Sequence, residues 1–492
     1  MNILLLYPEF PDTFWSFKYA LKFVSKKAQY PPLGLLTVAA MLPQNWNKVL
    51  VDMNVERLRD SHIAWADYVF VSAMSVQSDS VNSVISTCKK AGVKTVAGGP
   101  LFTAYPEKFD DIDYLVLGEA EVTLPSFLED LENNAAKHVY KSDERPELCR
   151  SPKPLWELID IKKYSSMNVQ YSRGCPFNCE FCEIVVLYGN KPRLKGTAQI
   201  LRELDSLYDT GWRSSVFFVD DNFIGNKERL KNEVLPALIE WSKQKDHPFT
   251  FYTEASINLA DDDELMRLMV EAGFDMVFIG IETPNEDSLT ECNKNQNKNR
   301  DLLESVDKMQ RRGLQVQGGF IIGFDNDPEN IFDMMIRFIQ QSGIVVAMVG
   351  LLNAPPGTRL FDRLKSENRI LSDASGNNTD YSLNFEPVMP PDKLIAGYRE
   401  VVDTVYSPEN YYARVTRYLN KVKDTGGKAA VKLTRESLAA FFKAMFKIGI
   451  AGKERRFYWK LLLRTIFTCP SQLSKAVTFA IYGYHFRRIF RI

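Results

Sequence analysis

The sequence predicts an α/β protein in which two parallel sheets are followed by a helix-rich region. Three observations lead to this fold class. Residues 1–145 and residues 166–357 each alternate short apolar or β-branched runs with amphipathic helical stretches. Many of these runs end in small or polar residues, as in sheets that bind ligands at the carboxyl ends of their strands. From about residue 358 the alternation stops, and helical patterns occupy residues 358–492.

The first block predicts a doubly wound, Rossmann-like sheet. Its strand candidates are NILLLYP, KVLVDMN, DYVFVSAM, KTVAGGP and DYLVLGEAE, and PPLGLLTVAAML and SVNSVISTCKKAG are helical. Sheets of this kind bind ligands beyond the carboxyl ends of their strands. The candidate contacts for a large, flat ligand are Ser72, Ser75, Gly98, Gly99, Gly118 and Glu119. For any single glycine pair, the alternative is a tight turn with no ligand.

A polar, proline-bearing linker, residues 146–165, leads to the second block. Six strand candidates follow, namely MNVQYS, SVFFVD, FTFYTEA, DMVFIGIE, LQVQGGFIIG and IVVAMVGLLN. Helical stretches such as DDELMRLMVEAG separate them. Six strand–helix units predict a partial (β/α)6 barrel of the TIM type over residues 166–357, with its chemistry on the loops that follow the strands.

The charge of the chain is unevenly distributed. Net charge is −1, but residues 421–492 hold 16 Lys and Arg against 3 Asp and Glu, so this tail carries +13. Anionic lipid headgroups, nucleic acid and the acidic remainder of the chain are all compatible partners for such a tail. Within it, AVKLTRESLAAFFKAMFKIG has an apolar stripe beside lysines, as an interfacial helix or a helix packed on the barrel would. Charged residues interrupt every apolar run before the roughly 20 residues of a spanning helix.

The segment SRGCPFNCEFCEI places Cys175, Cys179 and Cys182 directly after the first predicted barrel strand. A structural zinc site would need a fourth ligand, and no histidine is near in sequence. An iron–sulfur cubane held by three thiolates leaves one iron free for a ligand, which explains the absent fourth cysteine. The remaining cysteines show no pairing rhythm, and no signal peptide is recognised, so we expect a reducing, cytoplasmic location.

The spacing Cys-x3-Cys-x2-Cys, with Phe181 before the third cysteine, resembles the signature of the radical SAM superfamily. In that superfamily the cysteines hold a 4Fe-4S cluster, whose free iron binds S-adenosylmethionine and whose electron generates a 5'-deoxyadenosyl radical. YPPLGLLTVAAML, AGGP and LGEAE resemble the cobalamin-binding domain of one branch. FFVDDNFIGN, FIGIETPNEDSL, GGFIIGFDND and LLNAPPGTRLFDRL resemble its subgroup of hopanoid and bacteriochlorophyll C-methyltransferases. The resemblance covers nearly the whole chain.

The resemblance also implies roles for polar residues at three successive strand ends. Asp220 and Asp221 stand where the superfamily often has a Gly-Gly-Glu-like turn that holds the amine of S-adenosylmethionine. Glu254 and Ser256 stand where ribose contacts occur, and Glu282 follows the fourth strand. Helix capping and a solvated rim are the alternatives for any one of these residues.

Cobalamin is implied for the first domain, without a histidine lower ligand. Enzymes that coordinate cobalt through a histidine use an Asp-x-His-x-x-Gly loop after the first strand, but this chain has YPEFPDTFW there. The corrin contacts would then be the strand-end residues of the first sheet named above. The alternative is a domain that has lost the cofactor and serves as a lid.

Together these features predict a cobalamin-dependent C-methyltransferase that acts on an unactivated carbon. The basic tail favours a lipid or isoprenoid substrate and contact with the inner face of the membrane, and a tetrapyrrole is the next substrate class. The expected electron donor is a ferredoxin or flavodoxin, and no nucleic acid partner is expected. A radical cyclase, oxidase or rearrangement enzyme is one alternative, and a corrinoid or redox sensor without turnover is another.

Overall fold

The computed structural model describes residues 1–377, 379–422 and 435–492. It confirms the predicted fold class, with a parallel sheet, a partial barrel and a helical region in chain order. The predicted C-terminal interfacial helix covers residues 430–449, of which 430–434 lie outside the described residues.

The first sheet has six parallel strands in the order β2-β1-β3-β4-β5-β6. They are β1 (Asn2–Tyr7), β2 (Asn47–Asp52), β3 (Tyr68–Ser72), β4 (Lys94–Gly98), β5 (Tyr114–Val116) and β6 (Val139–Tyr140). The helices of this part are α1 (Lys18–Leu21), α2 (Leu33–Met41), α3 (Asp60–Trp65), α4 (Ser78–Ala91), α5 (Pro100–Ala104) and α6 (Ala120–Glu132). Alternate residues of β1 enter two cores, since Ile3 and Leu5 face one side and Leu4 and Leu6 the other. Burial of both faces explains why these strands read as continuous apolar runs.

The second sheet is a six-stranded parallel sheet in the order β7-β10-β11-β12-β13-β14, which is the predicted partial barrel. Its region contains β7 (Met167–Val169), β8 (Ser172–Arg173), β9 (Arg193–Leu194), β10 (Ser215–Phe218), β11 (Thr250–Ala255), β12 (Phe274–Glu282), β13 (Gln315–Ile322) and β14 (Ala347–Leu351). The antiparallel pair β8–β9 flanks the cysteine loop. The helices are α7 (Ile184–Tyr188), α8 (Thr197–Asp209), α9 (Lys227–Arg229), α10 (Leu235–Gln244), α11 (Asp263–Ala272), α12 (Glu286–Glu291), α13 (Leu302–Arg311), α14 (Ile331–Ser342) and α15 (Arg359–Ser366).

The helical region covers one open edge of the barrel. Its helices are α16 (Pro391–Tyr406), α17 (Pro408–Lys421), α18 (Arg435–Ala444), α19 (Arg455–Thr468) and α20 (Leu473–Phe490), and a π-helical segment, Met445–Ile450, continues α18. The hydroxyl groups of Tyr398 and Tyr406 on α16 donate to the carbonyls of Val349 and Ala347 on β14. An uncovered edge strand invites pairing with another chain. These tyrosines satisfy part of that edge.

Helix α20 packs against the segment that follows β1. The rings of Phe486 and Phe14 stack with centroids 4.4 Å apart, and His485 stacks on Phe17. The Nε2 atom of His485 lies 3.1 Å from the Phe14 carbonyl oxygen. Burial lowers the pKa of His485 to about 4, so its ring is neutral at physiological pH. Despite the basic character of the tail, α20 is therefore a core helix that joins the two ends of the chain.

Buried ion pairs join the first sheet to the barrel. Glu119 and Glu121, at the start of α6, each lie 2.8 Å from guanidinium nitrogens of Arg173 on β8. Arg193 on β9 pairs with Glu119 at 2.7 Å. None of these four side chains is more than 13% exposed, so water screens their attraction weakly. The first sheet is thus fixed to both strands that flank the cysteine loop.

We expect the Glu121→Gln variant to be less stable than the wild type at pH 7, by about 3 kcal/mol of unfolding free energy. Burial raises the pKa of Glu121, but the hydrogen bond and charge of Arg173 outweigh it, and the net pKa is about 2. Because this value is depressed, the stabilisation is present above the unfolded-state pKa and is lost as the pH falls towards 2. Guanidinium chloride unfolding between pH 7 and pH 3 should show the two proteins converging. The exposed Glu129→Gln variant of the same helix is the control, and a Glu121→Gln deficit independent of pH would contradict the assignment.

Candidate functional site

The cysteine loop lies at the carboxyl end of the barrel, and two acidic residues form hydrogen bonds with the residues just before its first cysteine. Asp220, which follows β10, accepts hydrogen bonds from the backbone N–H groups of Tyr171 and Ser172 and from the Ser172 hydroxyl. Asp221 accepts from the N–H of Gly174 at 2.8 Å. Both carboxylate oxygens of Asp220 therefore accept hydrogen bonds from the residues that lead into the loop. Its structural contacts are those of a positioning residue, whereas Asp221 keeps acceptor capacity.

The outer side of the loop is fixed by residues from later in the chain. The N–H of Glu180 donates to the Cys292 carbonyl, and its carboxylate pairs with Arg363 on α15 at 2.9 Å. Gly174 has φ +92°, and a Cβ there would lie 2.9 Å from the Gly189 carbonyl oxygen. No other residue type fits that position without moving the backbone. Phe181 is half-buried, with its ring 6.2 Å from that of Phe324.

The three cysteines share an environment of low water access. Burial raises the pKa of Cys175, and it raises the pKa of Cys182 to about 12, with Cys179 adding to both shifts. Among the described residues, no three His, Cys, Asp or Glu side chains are already arranged as metal ligands. In kind, however, the donor set fits a cluster that takes three thiolates. Such thiolates form only if positive charge compensates the burial.

Lys294 supplies part of that positive charge. Its ammonium pairs with Glu282 at 2.6 Å, is only 12% exposed, and interacts electrostatically with Cys179 and Cys182. Glu282 has φ +63°, and the pair lies against Gly280, where a Cβ would clash with the Glu282 carboxylate. Nearby, the Gln296 amide nitrogen lies 3.8 Å from the Cys179 sulfur. Glu282 therefore acts through Lys294 on the cysteine loop.

Two acids at the ends of barrel strands, Asp221 after β10 and Glu254 near the end of β11, interact electrostatically. Burial raises the pKa of Glu254 to about 8 and that of Asp221 to about 6, and the charge of Asp221 is a further cause for Glu254. Carboxyl groups that repel one another and lack water favour the arrival of a cation. This arrangement fits the ammonium and sulfonium groups of S-adenosylmethionine. Ser256 belongs to the same rim, but its N–H donates to the Asn222 side chain and its hydroxyl to Asn258.

A cavity of about 560 Å³ lies at the carboxyl end of the first sheet, against the barrel. Tyr7 at the end of β1 and Ser72 at the end of β3 line it, so it lies where the strand order reverses. Two buried oxygens at its wall, Gln29 Oε1 and Asn168 Oδ1, have no hydrogen-bond donor within the described structure. The amide groups on the edge of a corrin would supply such donors. No histidine is among the described residues that line the cavity.

The residues predicted to contact a corrin are only partly at the cavity. Ser72 lines it, and Gly99 lies directly behind, with φ +94° and room for no Cβ because Ser72 Oγ would be 2.6 Å away. Three others lie at strand ends outside the lining, namely Ser75, Gly98 and Gly118. Glu119 also lies outside the lining, and its carboxylate pairs with Arg173 and Arg193, so a corrin contact at this residue stays a prediction.

Aromatic rings lie between the cavity and the interior of the barrel. Trp15, which lines the cavity, contacts Phe278 of β12 with ring centroids 5.5 Å apart. Tyr30, also in the lining, lies 5.3 Å from Phe217 of β10, which in turn stacks on Tyr252 of β11. These ring contacts join the wall of the cavity to strands β10, β11 and β12 of the barrel.

Sequence reasoning did not identify several residues that build this site. Arg173, Lys294 and Gln296 were not predicted, because each acts through a partner that is distant in sequence. The loop after β1 was considered only for the absence of histidine, and the segment around Tyr30 only for a helix and for its resemblance to the cobalamin-binding domain. Their density of aromatic residues and prolines, in YPEFPDTFW and QYPPLG, was the available signal.

Three regions of the chain match known families. Residues 23–128 match the B12 binding domain, and residues 169–339 match the radical SAM superfamily. Residues 358–492 match a domain of unknown function, DUF4070. The predicted 4Fe-4S cluster, S-adenosylmethionine and cobalamin are confirmed as the cofactors of the two characterised families.

Several curated proteins are similar to nearly the whole chain. An uncharacterized methyltransferase of Synechocystis sp. is 42% identical, covering 99% of this chain and 91% of that protein. Hopanoid C-2 methylase of Rhodopseudomonas palustris is 34% identical, covering 94% and 89%. Bacteriochlorophyllide d C-8(2)-methyltransferase of Chlorobaculum tepidum is 25% identical, covering 78% and 89%.

Solved structures share the fold. The cobalamin-dependent S-adenosylmethionine radical enzyme OxsB with aqua-cobalamin bound has a TM-score of 0.63 at 13% identity, covering 99% of this chain and 80% of that chain. The radical S-adenosylmethionine methyltransferase TsrM from Kitasatospora setae, with cobalamin and a 4Fe-4S cluster bound, has a TM-score of 0.58 at 14% identity, covering 81% and 85%.

We expect the Asp220→Asn variant to retain less than half of the wild-type iron after anaerobic reconstitution. The amide would place an N–H donor against the N–H donors of Tyr171 and Ser172, so the start of the cysteine loop would shift. Iron content and the visible absorbance of the cluster measure the effect. The exposed Asp209→Asn variant should load iron normally, and full iron content in Asp220→Asn would refute the positioning role.

We expect the Lys294→Gln variant to lose iron several-fold faster than the wild type on dilution with a chelator. The substitution removes the cation beside the thiolates and leaves the buried Glu282 carboxylate unpaired. Lys294→Arg should restore retention, because it keeps the charge, and Lys298→Gln is the control in the same segment. Equal iron loss from Lys294→Gln and the wild type would show that the ammonium does not stabilise the site.

The family matches agree with the two sites. The radical SAM match includes the three cysteines, and the B12-binding match includes much of the cavity lining. The relatives above 30% identity cover more than nine-tenths of it, so the similarity includes both domains and the connection between them. The chain therefore belongs to the radical SAM superfamily, in the branch of methyltransferases that carry a B12-binding domain before the radical SAM domain.

Proposed function

We propose that this enzyme methylates an unactivated carbon of a polycyclic isoprenoid lipid. The observation that carries the proposal is the 34% identity to hopanoid C-2 methylase over 479 residues, an alignment long enough to include most of the helical region. The bacteriochlorophyllide methyltransferase is less similar and covers less of this chain. A lipid substrate is therefore favoured over a tetrapyrrole.

The arrangement of the two sites supports methyl transfer. When bound, the cluster supplies the electron that cleaves S-adenosylmethionine, and cobalamin carries the methyl group. The chain's own residues then have separate tasks. The thiols of the cysteine loop hold the cluster, while Asp221 and Glu254 orient the cationic groups of S-adenosylmethionine. A methyl donor and a radical source must reach the same carbon. The ion pair of Arg173 with Glu119 supports this by fixing the position of the first domain relative to the barrel.

The aromatic contacts between the cavity wall and the barrel support an apolar substrate. Trp15, Phe278, Phe217 and Tyr252 offer flat apolar surfaces that a fused ring system would cover. The same rings exclude water, which protects a carbon radical from side reactions. A ferredoxin or flavodoxin is the proposed electron donor.

The test is an anaerobic assay of the reconstituted enzyme with methyl-labelled S-adenosylmethionine, a reductant, and either a hopanoid or a bacteriochlorophyllide. We expect label in the hopanoid, together with 5'-deoxyadenosine. Cys179→Ala should abolish both products because a cluster ligand is lost, whereas Cys149→Ala, at an exposed site, should leave both unchanged.

Other outcomes separate the alternatives. Label in the bacteriochlorophyllide alone would transfer the proposal to tetrapyrroles. Formation of 5'-deoxyadenosine with a changed but unlabelled substrate would identify a radical cyclase, oxidase or rearrangement enzyme instead.

A further inference from the structure

An unpaired apolar stripe runs along α18 and its π-helical continuation. Four of its large side chains are exposed, and they recur at intervals of four residues, namely Leu438, Phe442, Phe446 and Ile450. Phe446 is 63% exposed. The opposite side of the same helix is buried, with Ala440, Ala444 and Ile448 in the core. The helix is therefore apolar on two sides, and only one of them has a partner within the described structure.

Helix α19 has the same property. Its inner side is buried through Tyr458, Leu461, Leu462 and Thr465. Its outer side exposes residues at helical spacing, namely Trp459, Leu463, Ile466 and Phe467. Phe467 is 82% exposed. A helix with apolar residues on two sides ordinarily has a packing partner on each of them.

The two stripes form one surface. The indole N–H of Trp459 donates to the Gly449 carbonyl at 2.9 Å, which brings α19 beside the π-helical segment. A Cβ at Gly449 would lie 2.9 Å from the ring of Tyr458, so only glycine permits this approach. Among the described residues, every exposed Phe and Trp lies on this surface. Isolated exposed apolar residues need no explanation, but a concentration of this kind marks an interaction site.

The charge of the same segment defines the partner. Residues 438–467 contain seven Lys and Arg and a single acidic residue, Glu454. Glu454 is buried and pairs with Arg487 at 2.9 Å, so it does not offset the outer charge. Within the described structure, Lys447, Lys453 and Lys460 form no ion pair. An apolar ridge with exposed cations around it complements an anionic lipid surface.

We propose that α18, the π-helical segment and α19 form a docking surface for anionic membranes. Among the described helices, none is long and apolar enough to cross a bilayer. The surface would therefore lie in the headgroup region, with Phe446 and Phe467 entering the acyl boundary. This assigns a role to part of the region that matches a domain of unknown function. The inference is independent of the substrate, because membrane binding is measured without turnover.

The docking surface is connected to the wall of the cavity. Lys443 on α18 donates to the Lys22 carbonyl and the Ser25 hydroxyl, and Lys447 lies over the ring of Phe23. The chain then continues from Ser25 directly into Lys27 and Tyr30, which line the cavity. A docked enzyme would hold this wall close to the membrane.

The test is flotation of the reconstituted full-length enzyme with vesicles of phosphatidylcholine, with or without phosphatidylglycerol. We expect binding to the anionic vesicles, at least ten-fold weaker binding of Phe446→Glu/Phe467→Glu, and unchanged binding of the control Leu371→Glu/Val388→Glu. The control residues are each 65% exposed and lie outside the docking surface. Lys453→Glu/Lys460→Glu should weaken binding only to the anionic vesicles.

Hydrogen–deuterium exchange of the wild type provides a measurement that needs no variant. Residues 438–467 should gain protection when anionic vesicles are added. The proposal is overturned if the wild type does not float, if Phe446→Glu/Phe467→Glu floats equally well, or if exchange in this segment is unchanged. It is also overturned if sedimentation shows that the surface joins two copies of the chain and vesicles do not compete. Failure of vesicle binding leaves the methyl-transfer assay unaffected, so the two proposals fail separately.

Discussion

The pairing of Arg173 with Glu119 and Glu121 is the interaction on which the arrangement of this enzyme depends. Arg173 precedes Cys175 by two residues, and its carboxylate partners lie at the start of α6 in the first domain. The position of the cysteine loop relative to the first domain is thus set by a few short, poorly solvated contacts. Breaking a buried pair leaves an uncompensated charge, which costs more than the pair contributes when intact. The two domains are consequently held together next to the cysteine loop.

Much of the fold could be predicted from the sequence because its signals are local. Apolar runs separated by amphipathic stretches located the six barrel strands, and the three cysteines identified the mouth of the barrel. The functions of polar residues were less accessible. Asp220 occupies the predicted turn, yet its oxygens accept hydrogen bonds from the backbone N–H groups of Tyr171 and Ser172, just before the cysteine loop. Lys294 lies in a loop without a motif, and its proximity to the cysteines is a product of the barrel topology.

In the basic tail, the number of charged residues does not indicate which of them are buried. Arg487 is buried against Glu454, and the helix that carries it packs on the N-terminal segment. Lys453 and Lys460 belong to the same tail but remain on the outside. Net charge does not distinguish buried from exposed basic residues here, since α19 and α20 both combine aromatic and basic residues. Only the packing of α20 beneath α19 separates a structural cation from one that is available to a partner.

The contact between Phe14 and Phe486 has a consequence for how the protein is made. These two rings are separated by 472 positions in the chain, and the segment around Phe14 lines the cavity of the first domain. Translation at about 5–20 residues per second leaves that segment without its packing partner for on the order of half a minute to a minute and a half. During synthesis the first sheet can form, but the wall of its cavity stays incomplete. The packing behind this wall of the cavity is therefore completed only after the last helix of the chain has been synthesised.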